Sequence, residues 1–312
     1  MTDQKKYRQL LAACQDLPPM ATAVVHPCDT AAIDAVVSAA RLGLIRPILV
    51  GPEARIREAA RQARAELDGW EIVDAPHSHA AAAQAVDLVL QGRAEALMKG
   101  SLHTDELMGA VVRRVDGLRT ARRISHCFVM DVPAYEQALI ISDAAVNIAP
   151  TLEEKIDIVQ NAIDLAHALQ FPEVRVAILS AMETVNPKVP STIEAAALCK
   201  MADRKQITGA ILDGPLALDN AIDLSAAEIK HIDSPVAGRA NVLIVPDLEA
   251  GNMLAKSLSF LAGADAAGIV LGAKVPIILT SRADSELSRL ASCAVAVLVA
   301  QARRSTASKA VA

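Results

Sequence analysis

The sequence predicts an α/β protein whose sheet is mostly parallel and is covered by helices on both faces. Short β-branched runs alternate with Ala-rich helical segments along most of the 312 residues, and such alternation is typical of strand–helix–strand units. The predicted strands are apolar throughout, which favours burial on both faces of the sheet. The chain is about twice as long as a typical domain, so one large unit or two smaller ones are expected.

Ten segments are predicted to be strands, because each is a short apolar run bounded by polar or turn-forming residues. They are Thr22–Val25, Pro47–Val50, Glu71–Val73, Ala96–Met98, Cys127–Val132, Ala138–Ile141, Val176–Leu179, Ile207–Leu212, Val242–Val245 and Pro276–Leu279.

Several helices have recognisable starts. Asp29 precedes TAAIDAVVSAA as an N-cap, and the segments 151–154 and 191–194 have the capping-box spacing. A domain break is predicted near residue 147, because LIISDAAVNIAP ends one series of elements and Thr151 opens a long helix of the next. The end of the chain carries one more strand and a helix over Glu286–Arg303, which could complete either half.

Composition excludes several functional classes. Aromatic residues are 2% of the chain and hydrophobic residues 53%, so the core must be built from Ala, Val, Leu and Ile. With few rings to stack on bases and a formal net charge of −5, nucleic acid is not expected as a partner. A membrane is not expected either, because the longest uncharged run, Leu290–Ala302, is shorter than the roughly 20 residues of a membrane span.

The sequence predicts a cytoplasmic protein. The N-terminal segment is amphipathic and has no continuous apolar stretch of the kind found in secretory signals. The cysteines are odd in number, far apart in the chain and without a CxxC pair, so they are interpreted as small buried hydrophobes and not as disulfides or zinc ligands. They are Cys14, Cys28, Cys127, Cys199 and Cys293.

The first candidate site is the segment VPIILTSRADSELSRLASCAV, residues 275–295. A strand runs into Ser281 and Arg282 and a helix follows, so free backbone N–H groups and a guanidinium could hold an anion there. Ser281 could equally be the N-cap of that helix, with Arg282 in solvent.

The second candidate is LMKGSLHTDEL, residues 97–107, where Lys99 ends a strand and Thr104 begins a helix. This turn could face a phosphate, although it lacks the spacing of a P-loop. Taken alone, the segment is more typical of an ordinary loop between a strand and a helix.

The third candidate is RRVDGLRTARRISH, residues 113–126, with five arginines against one aspartate. Arg113 and Arg114 are expected on a solvated helix face. Arg122 and Arg123 directly precede an apolar strand and could hold a polyanion such as coenzyme A.

The fourth candidate combines LDGPLALDNAI, residues 212–222, with DSPVAGRANVLIVPDLEAGNMLAK, residues 233–256. Pro235 and Gly238 mark turns beside a buried strand, and Asn252 is predicted to open a helix. Ligands bind at such strand ends in parallel sheets, although structural turns would explain the glycines equally well. The aspartates here have irregular spacing and no histidine partner, so no metal site is expected.

These segments together resemble the phosphate acetyltransferase/phosphate butyryltransferase family over roughly residues 20–305. The long segment SPVAGRANVLIVPDLEAGN carries most of the specificity, and LDGPLALDNAI, PIILTSR, LMKG, GLRTARRISH and DAAVNIAPTLEEK also match, in order. The LMKG and GLRT…SH forms are closer to the butyryltransferase branch. They also resemble the acetyltransferase half of chains fused to an enoyl-CoA hydratase domain, which is absent here.

The resemblance implies two three-layer α/β domains arranged as in isocitrate and isopropylmalate dehydrogenases, with the active site in the cleft between them. It assigns residues 1–147 and 273–312 to the first domain and residues 148–272 to the second. A homodimer is implied as well.

The activity implied is reversible transfer of an acyl group, acetyl above all, between coenzyme A and inorganic phosphate, with no metal and no tightly bound cofactor. Ser281 and Arg282 match the family's catalytic pair: Ser281 would bond the sulfur or the reacting carbonyl, and Arg282 the phosphate and the developing charge. The same resemblance places the CoA and phosphate contacts at Lys99, Thr104, Arg122, Arg123, Ser125, Pro235, Gly238 and Asn252.

The sequence departs from the acetyltransferase pattern at Ser288, where that branch has an acidic residue proposed to deprotonate the thiol. At 100° per residue, Asp284 would lie about −60° from Ser281 around a helix and Glu286 about 140°, on the opposite side. Asp284 is therefore the predicted replacement base, with helix capping as its equally weighted alternative.

Two alternatives stay open: a phosphate butyryltransferase, and a non-catalytic subunit that binds CoA or acyl phosphate. A dehydrogenase on the same fold is disfavoured, because the sequence lacks a GxGxxG turn and a set of metal-binding aspartates.

Overall fold

The computed structural model describes residues 5–67, 69–280 and 284–311, with side chains for 6–67, 69–280 and 284–306. The described residues form two compact units. The two-segment unit consists of Tyr7–Arg122 and the chain from Ala267 onward, and the mid-chain unit consists of Arg123–Ala266 together with Lys6.

In chain order the elements are α1 (Lys5–Ala12), β1 (Met20–Val25), α2 (Thr30–Arg41), β2 (Ile45–Gly51), α3 (Glu53–Gln62), β3 (Glu71–Asp74), α4 (Ser78–Leu90), β4 (Ala96–Lys99), α5 (Thr104–Val111), β5 (Ser125–Asp131), β6 (Leu139–Ser142), α6 (Leu152–Ala168), β7 (Arg175–Leu179), α7 (Pro190–Asp203), β8 (Ile211–Leu216), α8 (Leu218–Ile222), α9 (Leu224–Ile229), β9 (Val242–Ile244), α10 (Leu248–Leu261), β10 (Asp265–Leu271), β11 (Ile277–Ile278) and α11 (Glu286–Val311).

The sheet of the two-segment unit has the strand order β3-β2-β1-β4-β11-β10. Its pairs are parallel except β10 with β11. All six residues of β1 are buried, as expected for a strand that helices cover on both faces. The carboxyl ends of β1, β4 and β11 therefore meet at one edge of this sheet.

The sheet of the mid-chain unit has the order β5-β6-β9-β7-β8, and its pairs are parallel except β5 with β6. Its core is aliphatic, with fully buried Ile141, Ala177 and Leu243 at the centre of the cluster. The predicted mostly parallel α/β architecture is confirmed in both units.

Each of the ten predicted strands overlaps a strand of the structure. One observed strand was not predicted, and one predicted strand is shifted along the chain. β8 begins at Ile211, so its predicted start at Ile207 is wrong. β10, with the sequence DAAGIVL, has no counterpart among the predicted strands. Its Ala and Gly residues have low strand propensity, and the neighbouring strand β11 supplies the context that fixes it.

Helix starts follow the side chains that cap them. Asp29 accepts from the Ala32 N–H at 2.8 Å, and the Thr151 capping box opens α6, as predicted. The capping box predicted at Ser191 is wrong, because α7 already begins at Pro190. The helix start predicted at Asn252 is also wrong, since Asp247 caps α10 through the Ala250 N–H at 2.8 Å.

The compact units divide the chain after Arg122 and after Ala266, whereas the sequence analysis divides it after residues 147 and 272. The first difference arises because β5 and β6 pair with each other and β6 pairs with β9, which ties residues 125–142 to the mid-chain unit. Among the described helices, none has the length and apolar character that a membrane crossing requires.

Candidate active site

A cavity of about 180 Å³ opens in the two-segment unit where β4 and β11 end and α2 begins. Parallel strands bring their carboxyl ends to one edge, and loops at such edges are the usual binding sites of α/β sheets. The lining residues are Asp29, Ala31, Ala32, Ala35, Met98, Lys99, Gly100, Thr280 and Arg289.

Lys99 brings a buried positive charge to this cavity. It is the last residue of β4 and is only 9% exposed, with Nζ 3.5 Å from the Gly100 carbonyl oxygen. The ammonium group of Lys99 thus contributes positive charge to the lining, at the segment LMKG where the sequence predicts a turn that could face a phosphate.

The turn after Lys99 is fixed by close backbone contact with the end of β1. Gly100 donates its N–H to the Val25 carbonyl at 2.9 Å, and a Cβ on Gly100 would lie 2.5 Å from that oxygen. Ser101 donates from N and Oγ to the His26 carbonyl, at 3.0 and 2.7 Å. A glycine is required here because no side chain fits.

Arg289 is a lining residue that the sequence analysis missed. It lies in the first turns of α11, and its guanidinium donates to the Ala31 carbonyl of α2 at 2.8 Å. No local sequence pattern marks Arg289, because it reaches the cavity through the packing of α11 against α2. The described lining thus has two cationic side chains, Lys99 and Arg289.

Ser281 and Arg282 lie outside the described residues. Thr280, directly before them, lines the cavity. The group that caps α11 is Ser285, whose Oγ accepts from the Ser288 N–H at 3.1 Å. The alternative interpretation of Ser281 as this helix's N-cap is therefore wrong.

The helical angles used to compare Asp284 with Glu286 do not apply, because α11 begins only at Glu286. Asp284 precedes the cap and is half-buried. Glu286 is exposed and accepts from Ser38 Oγ on α2 at 2.6 Å. Ser288 is buried and bonds Ser285 Oγ at 3.1 Å, so it has a local structural role.

Arg123 and Ser125 are tied into the mid-chain unit. The Arg123 guanidinium pairs with Glu154 at 2.8 Å and donates from Nε to Asn147 Oδ1 at 2.8 Å. Ser125 is fully buried, and its Oγ accepts from the Asn161 side chain at 2.8 Å. The predicted start of a strand directly after the two arginines is confirmed.

The other predicted contacts are dispersed. Thr104 is exposed at the start of α5, and Arg122 is half-buried; the described lining of the cavity includes neither. In the mid-chain unit Pro235 is exposed, and Gly238 has φ +75°. Asn252 lies within α10 and donates to the Ala144 carbonyl at 3.2 Å. Of the predicted site residues that the structure describes, Lys99 lines the cavity, and Thr280, which directly precedes Ser281, lines it as well.

The five cysteines are free thiols. Burial raises the pKa of Cys14 and Cys28 to about 11, and that of Cys127, Cys199 and Cys293 to about 12. All five are therefore protonated at neutral pH and are poor nucleophiles. No cluster of three or more metal-ligating side chains occurs within the described ranges.

Comparison with known proteins identifies the family. Residues 76–297 match the family model described as Phosphate acetyl/butaryl transferase. A phosphate acetyltransferase of Rhizobium meliloti is 65% identical over 299 residues, which are 96% of this chain and 95% of that protein. A phosphate butyryltransferase of Clostridium acetobutylicum is 38% identical over 296 residues, 95% and 98% of the two chains.

The fold agrees with this assignment. The crystal structure of a branched-chain phosphotransacylase from Enterococcus faecalis superimposes with a TM-score of 0.79 at 30% identity, covering 90% of this chain and 99% of that one. The chain therefore belongs to the phosphate acetyl/butaryl transferase family.

Proposed function

We propose that this chain is an acyltransferase that moves an acyl group, acetyl above all, reversibly between the sulfur of coenzyme A and inorganic phosphate. The cavity with Lys99 and Arg289, which ends at Thr280 directly before Ser281, carries the proposal. The 65% identity of the chain to a phosphate acetyltransferase, against 38% to a phosphate butyryltransferase, supports acetyl over butyryl.

The charges around the cavity suit phosphate. Lys99 supplies an ammonium group and Arg289 a guanidinium, and guanidinium groups bind phosphate oxygens through paired hydrogen bonds. The positive end of the α2 dipole also lies at the cavity, but the Asp29 carboxylate already accepts from the Ala32 N–H there, so Lys99 and Arg289 carry the attraction for phosphate. These groups would orient phosphate as the nucleophile, or the phosphoryl end of acyl phosphate in the reverse direction.

Ser281 and Arg282 supply the remaining chemistry in this proposal. When a phosphate oxygen attacks the thioester carbon, the carbonyl oxygen becomes the oxyanion of a tetrahedral intermediate and needs hydrogen-bond donors. Collapse of this intermediate re-forms the carbonyl, breaks the C–S bond and releases the CoA thiolate. Ser281 would bond the carbonyl oxygen or the sulfur, and Arg282 would neutralise the oxyanion. These roles come from the resemblance and need no metal ion.

The thiol must lose a proton when acyl phosphate is the donor. A free thiol with pKa of about 8.5 is mostly protonated at neutral pH, so a base or a positive field is needed. Asp284 is the proposed base. The positive field of Arg282, Arg289 and the α11 N-terminus is the alternative.

Further parts of the proposal come from the resemblance. They are an isocitrate dehydrogenase-like arrangement of the domains, a homodimer, and CoA or phosphate contacts by Thr104, Arg122, Arg123, Ser125, Pro235, Gly238 and Asn252. A cytoplasmic location is proposed from the N-terminal segment and the unpaired cysteine pattern. The contacts of Ser125 argue for an indirect role, because its hydroxyl is buried against Asn161.

The test is the release of CoA thiol from acetyl-, propionyl- and butyryl-CoA with and without phosphate. Phosphate-dependent release, fastest with acetyl-CoA, is expected. Arsenate should replace phosphate, and chelation should leave the rate unchanged. A preference for butyryl-CoA would indicate a butyryltransferase, and binding without release a non-catalytic subunit. Loss of activity on chelation, restored by one divalent ion, would contradict metal-free chemistry.

A further inference from the structure

The least exposed lining residues of the cavity are Ala35 and Met98, at 2% each, followed by Lys99 at 9%. Thr280 and Arg289 are half-buried. The most buried part of the described lining therefore consists of two apolar side chains with Lys99 beside them.

The volume of the cavity limits what it can enclose. At about 180 Å³ it is close to the roughly 150 Å³ of an engineered protein cavity that holds benzene. It is well below the roughly 300–1,000 Å³ of sites for drug-sized ligands. A short acyl group fits this space, whereas a whole CoA molecule does not.

From this polarity and size we propose that Ala35 and Met98 form the base of an acyl pocket and set the length of the acyl chain. The inference rests on the proposed function. In this arrangement the alkyl tail of the acyl group lies against Ala35 and Met98, and its carbonyl faces Thr280.

The polarity of the lining gives the substrate a direction. In this arrangement the phosphate lies at Lys99 and Arg289, and it does not lie against Ala35 and Met98, because a charged group is not stabilised by methyl and thioether groups. The alkyl tail has the opposite preference. Each additional methylene of the acyl chain then needs free volume beyond the carbonyl. The size of the side chains at positions 35 and 98 determines how much of that volume is available.

Two variants of opposite effect test this proposal. Ala35→Val fills the base, and Met98→Ala enlarges it. The control is Ala39→Val, one turn further along α2, a buried residue outside the described lining. If the substitution at Ala35 prevents folding, Ala32→Val, at a half-buried position of the same lining, replaces it as the variant that fills the cavity.

The measured quantity is the ratio of kcat/KM for butyryl-CoA to that for acetyl-CoA at saturating phosphate, with circular dichroism to verify folding. One methylene in an apolar pocket changes kcat/KM by about 10- to 200-fold. Ala35→Val should therefore lower the ratio about 10-fold or more, and Met98→Ala should raise it severalfold. Ala39→Val should leave it unchanged.

The outcomes separate the two proposals. If the wild-type protein releases no CoA from any acyl-CoA in the presence of phosphate, the proposed function fails. If the wild-type protein is active and the ratio stays within twofold in folded variants at positions 35 or 32 and 98, the acyl pocket is wrong. An equal loss with both acyl groups, with a higher KM for phosphate, would assign the cavity to phosphate alone and overturn the inference.

Discussion

Oδ1 of Asn147 accepts a hydrogen bond from Nε of Arg123 at 2.8 Å, and the amide group of the same side chain makes two further hydrogen bonds. Its Nδ2 donates to the Ile124 carbonyl at 2.9 Å and to Asp143 Oδ2 at 2.6 Å. Asp143 and Asn147 are both buried, and Glu154 pairs with the same guanidinium. The orientation of Arg123 is thus set by a buried network and not by the arginine alone.

The first prediction separates binding from structure at this network. Arg123→Ala removes a half-exposed ion pair, so its free energy of unfolding should fall by no more than about 1 kcal/mol, while KM for CoA or phosphate rises. Asn147→Ala should raise the same KM and also lower the free energy of unfolding by about 2–3 kcal/mol, because it leaves a buried carboxylate short of a donor. An unchanged KM in both variants would make Arg123 purely structural.

The second prediction concerns Arg282. Arg282→Lys keeps the charge but loses paired hydrogen bonding, so kcat should fall about 100-fold or more, as when an oxyanion donor is removed. Arg122→Ala should mainly raise KM, as expected for lost substrate binding. Steady-state kinetics with acetyl-CoA and phosphate give both values. Equal small effects from the two changes would mean that the active site is elsewhere.

The third prediction is that Asp284 assists the thiol. Because Ser285 caps α11, Asp284→Asn should change the melting temperature little. Its kcat for CoA acylation by acetyl phosphate should fall about 10²- to 10⁴-fold and recover in part at high pH. Glu286→Gln is the matched control, since its amide can still accept from Ser38. If Asp284→Asn is fully active, Asp284 is not the base, and the positive field must lower the thiol pKa instead.

The fourth prediction is a pH effect on stability through His126, which is 1% exposed. Burial lowers the pKa of His126 from 6.5 to about 4, with Asp143 opposing the shift. Between these values the unfolded chain binds more protons, so stability falls as pH falls. Between pH 7 and pH 5 the wild-type protein should therefore lose more free energy of unfolding than His126→Gln. Urea unfolding at both pH values measures this, and equal losses would contradict it.

The fifth prediction concerns Gly238. At φ +75° a Cβ would collide with the backbone of Leu224, so Gly238→Ala should combine steric overlap with backbone strain and lower the free energy of unfolding by more than about 2 kcal/mol. Gly263→Ala is the control, because its φ is +65° with open space around it, and it should cost about 1 kcal/mol. Similar losses in thermal or urea unfolding would rule out the overlap.

The elements with strong local signals were predictable. β1 and β4 are short, largely apolar runs, and the side chains of Asp29 and Thr151 cap the helices that follow them. β10 was missed because its first half, DAAG, has low strand propensity and leaves only a short apolar run as a signal. The start of α7 is a similar case: Pro190 at the first helical position outweighs the Ser191 capping pattern.

At the candidate site, the sequence singled out Lys99, and the structure places its side chain in the cavity. It could not single out Arg289, Ala35 or Met98, since their meeting depends on how α2, β4 and α11 pack. The helical angle assigned to Asp284 was wrong, because Ser285, one residue after Asp284, caps the helix. Asp284 therefore lies before the helix and not within it.

The two-segment unit has a consequence for synthesis on the ribosome. β11 pairs with β4, and α11 packs against α2, yet residues 123–266 are translated in between. At roughly 5–20 residues per second, the early segment waits about 7–30 s for its last strand and helix. During this time the open side of β4 and the apolar face of α2 are exposed to the nascent chain's surroundings. The early segment is therefore most prone to misfolding before the chain is released from the ribosome, and chaperones should be needed chiefly in that interval.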